Sequence, residues 1–188
     1  MKKNLLMPDL FNKKIWDGTY SALKSLIESC YYSQIAFHSL ETMKNNELAW
    51  WKEYCTIKMS SSRRSGHSTV ISKVIPEYFD RALILSFTQN NAERILKSFM
   101  MLHYAESVGD KTINGELILK QTKTKIVTES SEYDFGSVNC LDNYQGIKYQ
   151  AIVVDTTCLL SAKTIEAIYT KLGGCMNCYP QKFFIFMQ

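Results

Sequence analysis

The sequence predicts a three-layer α/β fold, in which helices cover both faces of a mainly parallel sheet. From about residue 54 onward, short segments with strand character alternate with longer segments of helical periodicity. Residues 151–154 and 183–186 are apolar at every position, a pattern typical of strands that are buried on both faces. Apolar strands that alternate with helices favour parallel pairing, because each connecting helix covers one face of the sheet.

Residues 1–53 are predicted to form a helical extension ahead of an α/β domain that spans residues 54–188. Apolar residues recur in the extension at near-helical spacing: Leu23, Leu26, Ile27, Cys30 and Ile35. The capping residues at 17–19 predict a helix start there, and the asparagine pair at 45–46 is expected to end the helix. A second short helix is expected after this break.

The α/β domain is predicted to follow a regular order of strands and helices. The strands are expected at residues 54–59, 81–87, 151–155 and 182–186, and the helices at residues 68–78, 88–107 and 162–172. Residues 114–129 are predicted to form an antiparallel β-hairpin around a Thr/Lys turn. This hairpin interrupts the alternation, so we expect it as an excursion from the parallel sheet.

The composition favours a globular chain with its own core. Of the 188 residues, 46% are hydrophobic and 21% are charged, which argues against disordered and fibrous classes. The 22 basic and 18 acidic side chains leave a net charge of +4, an excess that allows an anionic partner without identifying one. At this length we expect one domain, or one domain with an appended helix, and a two-domain motor does not fit.

The sequence lacks the features of a membrane span and of a signal peptide. No segment has the roughly 18 consecutive apolar residues of a span, and the first apolar run ends at Pro8. The six cysteines lie mostly inside apolar segments, so we expect them to be reduced and buried. We therefore expect no membrane partner and an intracellular location.

A candidate phosphate-binding loop lies between a predicted strand and a predicted helix, at residues 61–69. In such a loop, successive backbone N–H groups and the helix N-terminus point at an anion. Against the pattern G-x-x-x-x-G-K-[ST], Gly66 takes the second glycine and Ser68 takes the metal-binding hydroxyl. Ser61 stands in place of the first glycine, and His67 in place of the lysine. A serine-rich turn that caps the helix would produce the same pattern, so both interpretations stay open.

An acidic residue follows the apolar strand at residues 151–154. Asp155 stands at the end of this strand, and a phosphate-loop enzyme needs an acid in such a place to hold Mg²⁺. Ser68 and Asp155 are therefore the candidate Mg²⁺ ligands. The alternative interpretation is that Asp155 caps the next turn.

The order of these segments resembles the ATPase domains of helicases and, more closely, of the large terminase subunits of tailed phages. The resemblance covers residues 54–188 and is carried by Arg63-Arg64-Ser65-Gly66-His67-Ser68-Thr69 and by residues 82–93, 144–155 and 183–188. It implies a P-loop NTPase-like (RecA-like) fold with degenerate Walker A and Walker B motifs. It also implies that residues 82–93 correspond to the segment that contacts DNA in helicases. If the chain is viral, as the resemblance to phage terminases implies, the expected location is the host cytoplasm.

The resemblance implies a nucleotide site and indicates which residues form it. The expected nucleotide-binding residues are Ser62, Arg63, Arg64, Ser65, Gly66, His67, Ser68 and Thr69. Mg²⁺ with ATP is the expected cofactor, held by Ser68 and Asp155. Asp155 and Gln188 are the candidate catalytic residues, and Gln188 is expected to sense the γ-phosphate from the end of a strand.

Two departures from the family predict weak or absent hydrolysis. The family's lysine contacts the β- and γ-phosphates, whereas His67 is shorter and carries no permanent charge. The glutamate that normally follows the Walker B aspartate is replaced by Thr156, which cannot act as a general base. Arg63 and Arg64 are expected to replace part of the missing positive charge, because guanidinium groups bind phosphate in a bidentate manner. If the chain is an enzyme, we expect a nucleoside-triphosphate hydrolase.

A function of a different class stays open beside this one. A catalytically inactive relative would keep the fold and act as a binding or regulatory module. Its aromatic N-terminal helices would then contact a protein partner. In either case we expect the chain to act with a protein partner or in an oligomer.

Two further motifs each have competing interpretations. Lys120, Lys123 and Lys125 in the hairpin are candidate contacts for DNA phosphates, and a solvated hairpin edge is the alternative.

Cys175 and Cys178 form a C-x-x-C motif, but no second cysteine pair or nearby histidine accompanies it. We therefore expect free thiols here and no zinc.

Overall fold

The computed structural model describes residues 6–37, 46–60, 66–106, 112–113 and 115–188. Its strands are β1 (Thr56–Met59), β2 (Arg81–Ser86), β3 (Thr112–Ile113), β4 (Glu116–Gln121), β5 (Lys125–Thr128), β6 (Glu132–Ser137), β7 (Ala151–Val154) and β8 (Phe183–Met187). They form one sheet in the spatial order β1-β8-β7-β2-β6-β5-β4-β3.

The larger part of this sheet is parallel. Strands β1, β8, β7, β2 and β6 pair in parallel, and β5, β4 and β3 continue the sheet in antiparallel pairs. The predicted parallel sheet and the predicted hairpin, formed by β4 and β5, are therefore confirmed. Because parallel strands share one direction, the segments that follow β1, β2, β7 and β8 all leave from the same edge of the sheet.

The α-helices of the described chain are divided between the two faces of the sheet. They are α1 (Leu6–Phe37), α2 (Glu47–Tyr54), α3 (His67–Tyr78), α4 (Gln89–Glu106) and α5 (Ala162–Leu172). Residues of α1, α3 and α4 join the core on one face, and residues of α2 and α5 join the core on the other. Along β7, Val153 belongs to the first core and Ile152 to the second. The predicted three layers are therefore confirmed.

The face under α2 and α5 is closely packed around Phe184 of β8. This side chain is fully buried, and its ring centroid lies 4.7 Å from that of Tyr169 and 6.2 Å from that of Trp51. Trp51 also closes over Gly173, where an added Cβ would lie 2.1 Å from the indole ring. The turn after α5 can approach the tryptophan this closely only because residue 173 has no side chain.

The N-terminal helix begins earlier than predicted. Helix α1 starts at Leu6, so the predicted start at residues 17–19 is wrong. Thr19 continues the helix and is buried, which shows that tertiary packing outweighs the capping preference of these residues. Asn46 caps α2 by accepting a hydrogen bond from the N–H of Ala49 at 3.0 Å.

Helix α1 packs directly on the sheet. Leu23 and Ile27 contribute to the core on the α3 side. Near the end of the helix, the side-chain amide of Gln34 donates to the carbonyl oxygen of Lys182 at 2.7 Å. The division of the chain between residues 53 and 54 stays a prediction.

Strand β6 lies outside the elements predicted from the sequence, although it pairs with β2 along its whole length. It contains Glu132, Asp134 and Gly136, and these residue types are depleted in strands. The buried carboxylate of Asp134 accepts a hydrogen bond from the Tyr149 hydroxyl at 2.9 Å. The carboxylate of Glu132 accepts one from the Arg81 guanidinium at 3.1 Å. The groups that stabilise this polar strand are distant in sequence, so no local pattern indicates it.

Candidate functional site

Two of the predicted site residues lie at the carboxyl edge of the sheet. Asp155 follows β7, and its backbone N–H donates to the carbonyl oxygen of Leu85 in β2 at 2.9 Å. Gln188 follows β8, and its backbone N–H donates to the carbonyl oxygen of Met59 at 2.8 Å. Met59 is the last residue of β1. Asp155 and Gln188 are therefore placed along the edge from which the candidate phosphate loop leaves the sheet.

Helix α3 begins directly after Gly66, which has a left-handed backbone with a φ of 76°. This conformation suits glycine, because a Cβ makes it strained. The carbonyl oxygen of Gly66 accepts a hydrogen bond from the Val70 N–H at 2.8 Å, within the first turn of the helix. The predicted loop residues before this turn lie outside the described residues: Ser62, Arg63, Arg64 and Ser65.

A cavity of about 400 Å³ lies between the N-terminus of α3, helix α4 and the end of β7. Its lining consists of Ser68, Asp155, Thr156 and a row of α4 residues, namely Asn91, Arg94, Ile95, Lys97 and Ser98. Ser68 and Asp155, the two predicted Mg²⁺ ligands, thus face the same space. The other predicted nucleotide-site residues that the structure describes do not line it: Gly66, His67, Thr69 and Gln188.

The carboxyl group of Asp155 is a buried acidic group in the lining of this cavity. Its side chain is buried, with the residue 8% exposed. Burial raises the pKa of Asp155, while hydrogen bonds from Thr156 and the nearby imidazole of His67 oppose that rise. His67 therefore lies close enough to influence the carboxylate. A buried carboxylate is costly unless a cation or hydrogen-bond donors compensate its charge, and such groups are concentrated at functional sites.

Thr156 is the one non-glycine residue of the described chain with a positive φ, at φ 62° and ψ 43°. For residues with a Cβ this left-handed conformation costs roughly 1–2 kcal/mol, and β-branched residues are outliers there. Backbone strain of this kind persists where the surrounding structure enforces it, often at functional sites. The strained residue stands where the family resemblance places a glutamate.

Two buried polar atoms near the same edge have no hydrogen-bond partner within the described part of the chain. They are Oγ of Ser86, the last residue of β2, and Nε2 of Gln89, the first residue of α4. Ser86 is fully buried. It follows Leu85, which pairs with Val154 of β7, so Ser86 lies beside the strand end that carries Asp155. Unsatisfied buried groups are rare in folded proteins, and both of these lie close to the candidate site.

Arg94 and Lys97 line the cavity, although neither is among the site residues predicted from the sequence. They lie three positions apart on α4, and Asn91 precedes Arg94 by the same interval. Residues at this spacing share one side of a helix. The spacing of Asn91, Arg94 and Lys97 is therefore the sequence feature from which these two site residues could have been predicted. The family resemblance instead assigns the beginning of this helix to contacts with DNA.

The hairpin lysines lie away from the cavity, in the part of the sheet beyond β6. Lys120 is in β4, Lys125 is in β5, and Lys123 is in the turn between them. Lys120 and Lys123 are exposed. The ammonium group of Lys125 forms an ion pair with Glu132 and lies 3.7 Å from a carboxylate oxygen of Asp134. The positive charge of Lys125 is therefore compensated within the chain, unlike that of a lysine that faces only solvent.

The C-x-x-C motif follows α5, with Cys175 buried and Cys178 exposed, and both are free thiols. Within the described residues, no group of three or more His, Cys, Asp or Glu side chains is arranged to hold a metal ion.

No helix in the described part of the chain has the length and apolar character needed to cross a bilayer.

Comparisons with known proteins find similar structures. No protein-family model and no curated protein matches the chain. Among solved structures, the chain is similar to the large terminase ATPase domain of Thermus phage P74-26, with 12% identity and a TM-score of 0.45 over 82% of this chain and 63% of that one. It is also similar to the large terminase of a thermophilic bacteriophage in complex with ADP, with 14% identity and a TM-score of 0.48 over 74% of this chain and 36% of that one.

These matches are likenesses of fold. The matching structures are phage large terminases or their ATPase domains, the class that the sequence resembles. The chain spans 63% and 36% of the two terminase chains described above. The assignment to the α/β class rests on the sheet order and the layers themselves.

Proposed function

We propose that this chain is a P-loop-type nucleotide-binding domain that holds the phosphates of ATP at the carboxyl edge of its sheet. The observation that carries the proposal is the shared cavity of Ser68 and Asp155. These two residues are separated by most of the domain in sequence, and the sequence pattern predicts both of them as Mg²⁺ ligands. A phosphate-loop site requires both groups in one place.

The side chains in this cavity fit a Mg²⁺ ion. Mg²⁺ prefers oxygen ligands and usually keeps several water molecules, so one or two protein oxygens are sufficient. Ser68 supplies a hydroxyl group and Asp155 a carboxylate. When bound, the ion would neutralise phosphate charge. Gly66, His67, Thr69 and the loop residues Ser62, Arg63, Arg64 and Ser65 remain the proposed phosphate contacts.

We further propose that hydrolysis is weak or absent. Thr156 has no group that can polarise water as a base, and its strained backbone occupies the place of the expected glutamate. His67 lies close to Asp155, where its imidazole provides less permanent positive charge than a lysine. Removing such groups from an active enzyme typically costs about 10²–10⁴ in rate.

Isothermal titration calorimetry tests the nucleotide site. We expect the parent protein to bind ATP, and Mg²⁺ to tighten that binding. Asp155→Asn and Ser68→Ala should remove most of the tightening by Mg²⁺, a change of about tenfold or more in affinity. Asp80→Asn is the matched control, because Asp80 is an exposed residue directly before β2, at the opposite edge of the sheet.

The titration has a clear contrary result. A folded parent protein that gives no heat with ATP, GTP or ADP would exclude the nucleotide site. If binding is present, phosphate release from the double variant His67→Lys, Thr156→Glu should exceed that from the parent. Equal rates would show that these two positions are not the reason for weak hydrolysis.

The proposed function also includes action on or beside DNA. Lys120 and Lys123 are its best-supported contacts, since both are exposed on the hairpin, whereas Lys125 is paired with acidic groups. Phosphate contacts make binding depend on salt concentration. The affinity for a DNA oligonucleotide, measured at two salt concentrations, should be lower for Lys120→Gln and Lys123→Gln than for the parent protein. Unchanged affinity would mean that the hairpin is a solvated sheet edge that does not contact DNA.

A second candidate function is a binding module that acts through a protein partner or in an oligomer. It is supported by large apolar side chains exposed on α1: Leu26, Tyr31, Tyr32, Ile35 and Phe37. Tyr32 is 68% exposed, and clustered apolar surface of this kind is often an interaction site. Sedimentation of the parent and of Tyr32→Ser tests for self-association through α1, while nucleotide affinity should not change.

A further inference from the structure

We propose that Arg94 and Lys97 on α4 bind the terminal phosphates of the nucleotide and supply the positive charge that His67 does not. This inference rests on the proposed nucleotide site. It adds that the site recognises a triphosphate tail, and that part of this recognition comes from α4 in addition to the phosphate loop.

The geometry brings both cations to the same cavity as the proposed Mg²⁺ ligands. Arg94 and Lys97 extend from α4, while Ser68 at the start of α3 and Asp155 at the end of β7 complete the lining. The cavity of about 400 Å³ is large enough for a chain of phosphate groups, since ligand pockets commonly measure about 300–1,000 Å³. Cationic and metal-binding groups therefore surround one space.

The charges of Arg94 and Lys97 are not compensated by ion pairs within the described residues. Other basic side chains of the chain do have acidic partners within 4 Å: Lys24, Lys52, Arg81, Lys125 and Lys171. Arg94 and Lys97 are both exposed at the cavity. An arginine can bind a phosphate through two parallel hydrogen bonds, and a lysine acts as a point charge.

The charge balance of the cavity favours a polyphosphate with its metal ion. The carboxylate of Asp155 alone would repel an anion, and Mg²⁺ between the two would remove that repulsion. A triphosphate keeps negative charge after it binds one Mg²⁺, and Arg94 and Lys97 are placed to compensate it. A monophosphate carries too little charge to engage both cations and the metal.

Calorimetric titration with ATP, ADP and AMP, each with Mg²⁺, tests this inference on the full chain. We expect Arg94→Gln and Lys97→Gln each to weaken ATP binding about tenfold, ADP binding less, and AMP binding hardly at all. Arg94→Lys should recover part of the affinity for ATP. Lys148→Gln is the matched control, because it removes an exposed charge just before β7, at the opposite edge of the sheet.

Each contrary outcome has its own meaning. Unchanged ATP affinity in both glutamine variants, or equal losses for ATP, ADP and AMP, overturns this inference and leaves the nucleotide site intact. A parent protein that binds no nucleotide overturns the proposed function and this inference together. If the variants lose affinity for a single-stranded DNA oligonucleotide while ATP binding is unchanged, α4 contacts DNA and the inference is wrong. Thermal unfolding of each variant verifies that it is folded.

Discussion

Around Gly173 the chain is packed so closely that an added Cβ would lie 2.1 Å from the Trp51 ring. Around Asp155, at the carboxyl edge of the same sheet, there is instead an open cavity, a buried carboxylate and a strained backbone at Thr156. Ser86, beside Asp155, also has a buried hydroxyl without a hydrogen-bond partner among the described residues. The first region is complete as it stands, whereas the second contains several groups that a ligand would stabilise.

The difference implies that the two regions are constrained by different requirements. In the packed region, each side chain contributes to stability, and almost any change of volume is expected to be harmful. At the carboxyl edge, burial of Asp155 and the positive φ of Thr156 lower stability. Groups that reduce the stability of the fold are typical of functional sites. Substitutions should therefore have opposite signs in the two regions.

The largest effect is expected from Gly173→Ala. The backbone of Gly173 has a φ of −57°, which alanine adopts readily, so the effect comes only from the clash with Trp51. Overpacking of this kind should lower the free energy of unfolding by about 2–3 kcal/mol, measured by urea denaturation.

Gly174→Ala is the matched control for this substitution. A Cβ at position 174 would meet no described atom within 4 Å, so its effect should stay within about 0.5 kcal/mol. Similar losses for both variants would mean that the packing around Trp51 is not the source of the difference between the regions.

Asp155→Asn should stabilise the nucleotide-free protein, in contrast to a substitution in the packed region. Burial raises the pKa of Asp155 in the folded protein. The protonated carboxyl group therefore favours the folded state at a pH below the ordinary aspartate pKa. This stabilisation is lost as the pH rises through the pKa of Asp155 in the folded protein, because the buried group then becomes charged. Asparagine avoids that loss. At neutral pH we expect a gain of about 1 kcal/mol, or roughly 3 °C in thermal unfolding.

The dependence of this stability gain on pH distinguishes the buried charge of Asp155 from other causes. The gain of Asp155→Asn over the parent should shrink as pH is lowered toward the ordinary aspartate pKa of about 3.9. Asp80→Asn, at an exposed position, should leave stability unchanged at both pH values. A gain that does not vary with pH would show that the buried charge is not responsible for it.

The sequence predicted those features that depend on local pattern. The apolar runs of β7 and β8 indicated buried parallel strands, and the structure confirms that they are buried at every position. The parallel order then explains why Asp155 and Ser68 line one cavity, although they lie far apart in the chain. Both residues are attached to elements that begin or end at the same edge of the sheet.

The features that the sequence did not predict depend on contacts between distant elements. Strand β6 is polar, and its Asp134 is stabilised by Tyr149, which lies in another segment. Arg94 is identified as a cavity residue only from the structure, which shows that α4 and the end of β7 line the same space. The left-handed backbone of Thr156 has no sequence signal, because a β-branched residue predicts the opposite conformation.

The smallest expected effect is that of Thr156→Asn, which tests whether backbone strain contributes to the difference between the regions. Asparagine tolerates a positive φ better than threonine does, so the free energy of unfolding should rise by about 0.5 kcal/mol. Thr156→Val is the control, because valine keeps the β-branched shape and should give no gain. Urea denaturation of the nucleotide-free proteins measures both. If valine stabilises as much as asparagine, the φ of Thr156 carries no cost. The low stability of the carboxyl edge must then come from the buried charge of Asp155 and from the Ser86 hydroxyl, which has no hydrogen-bond partner among the residues that the structure describes.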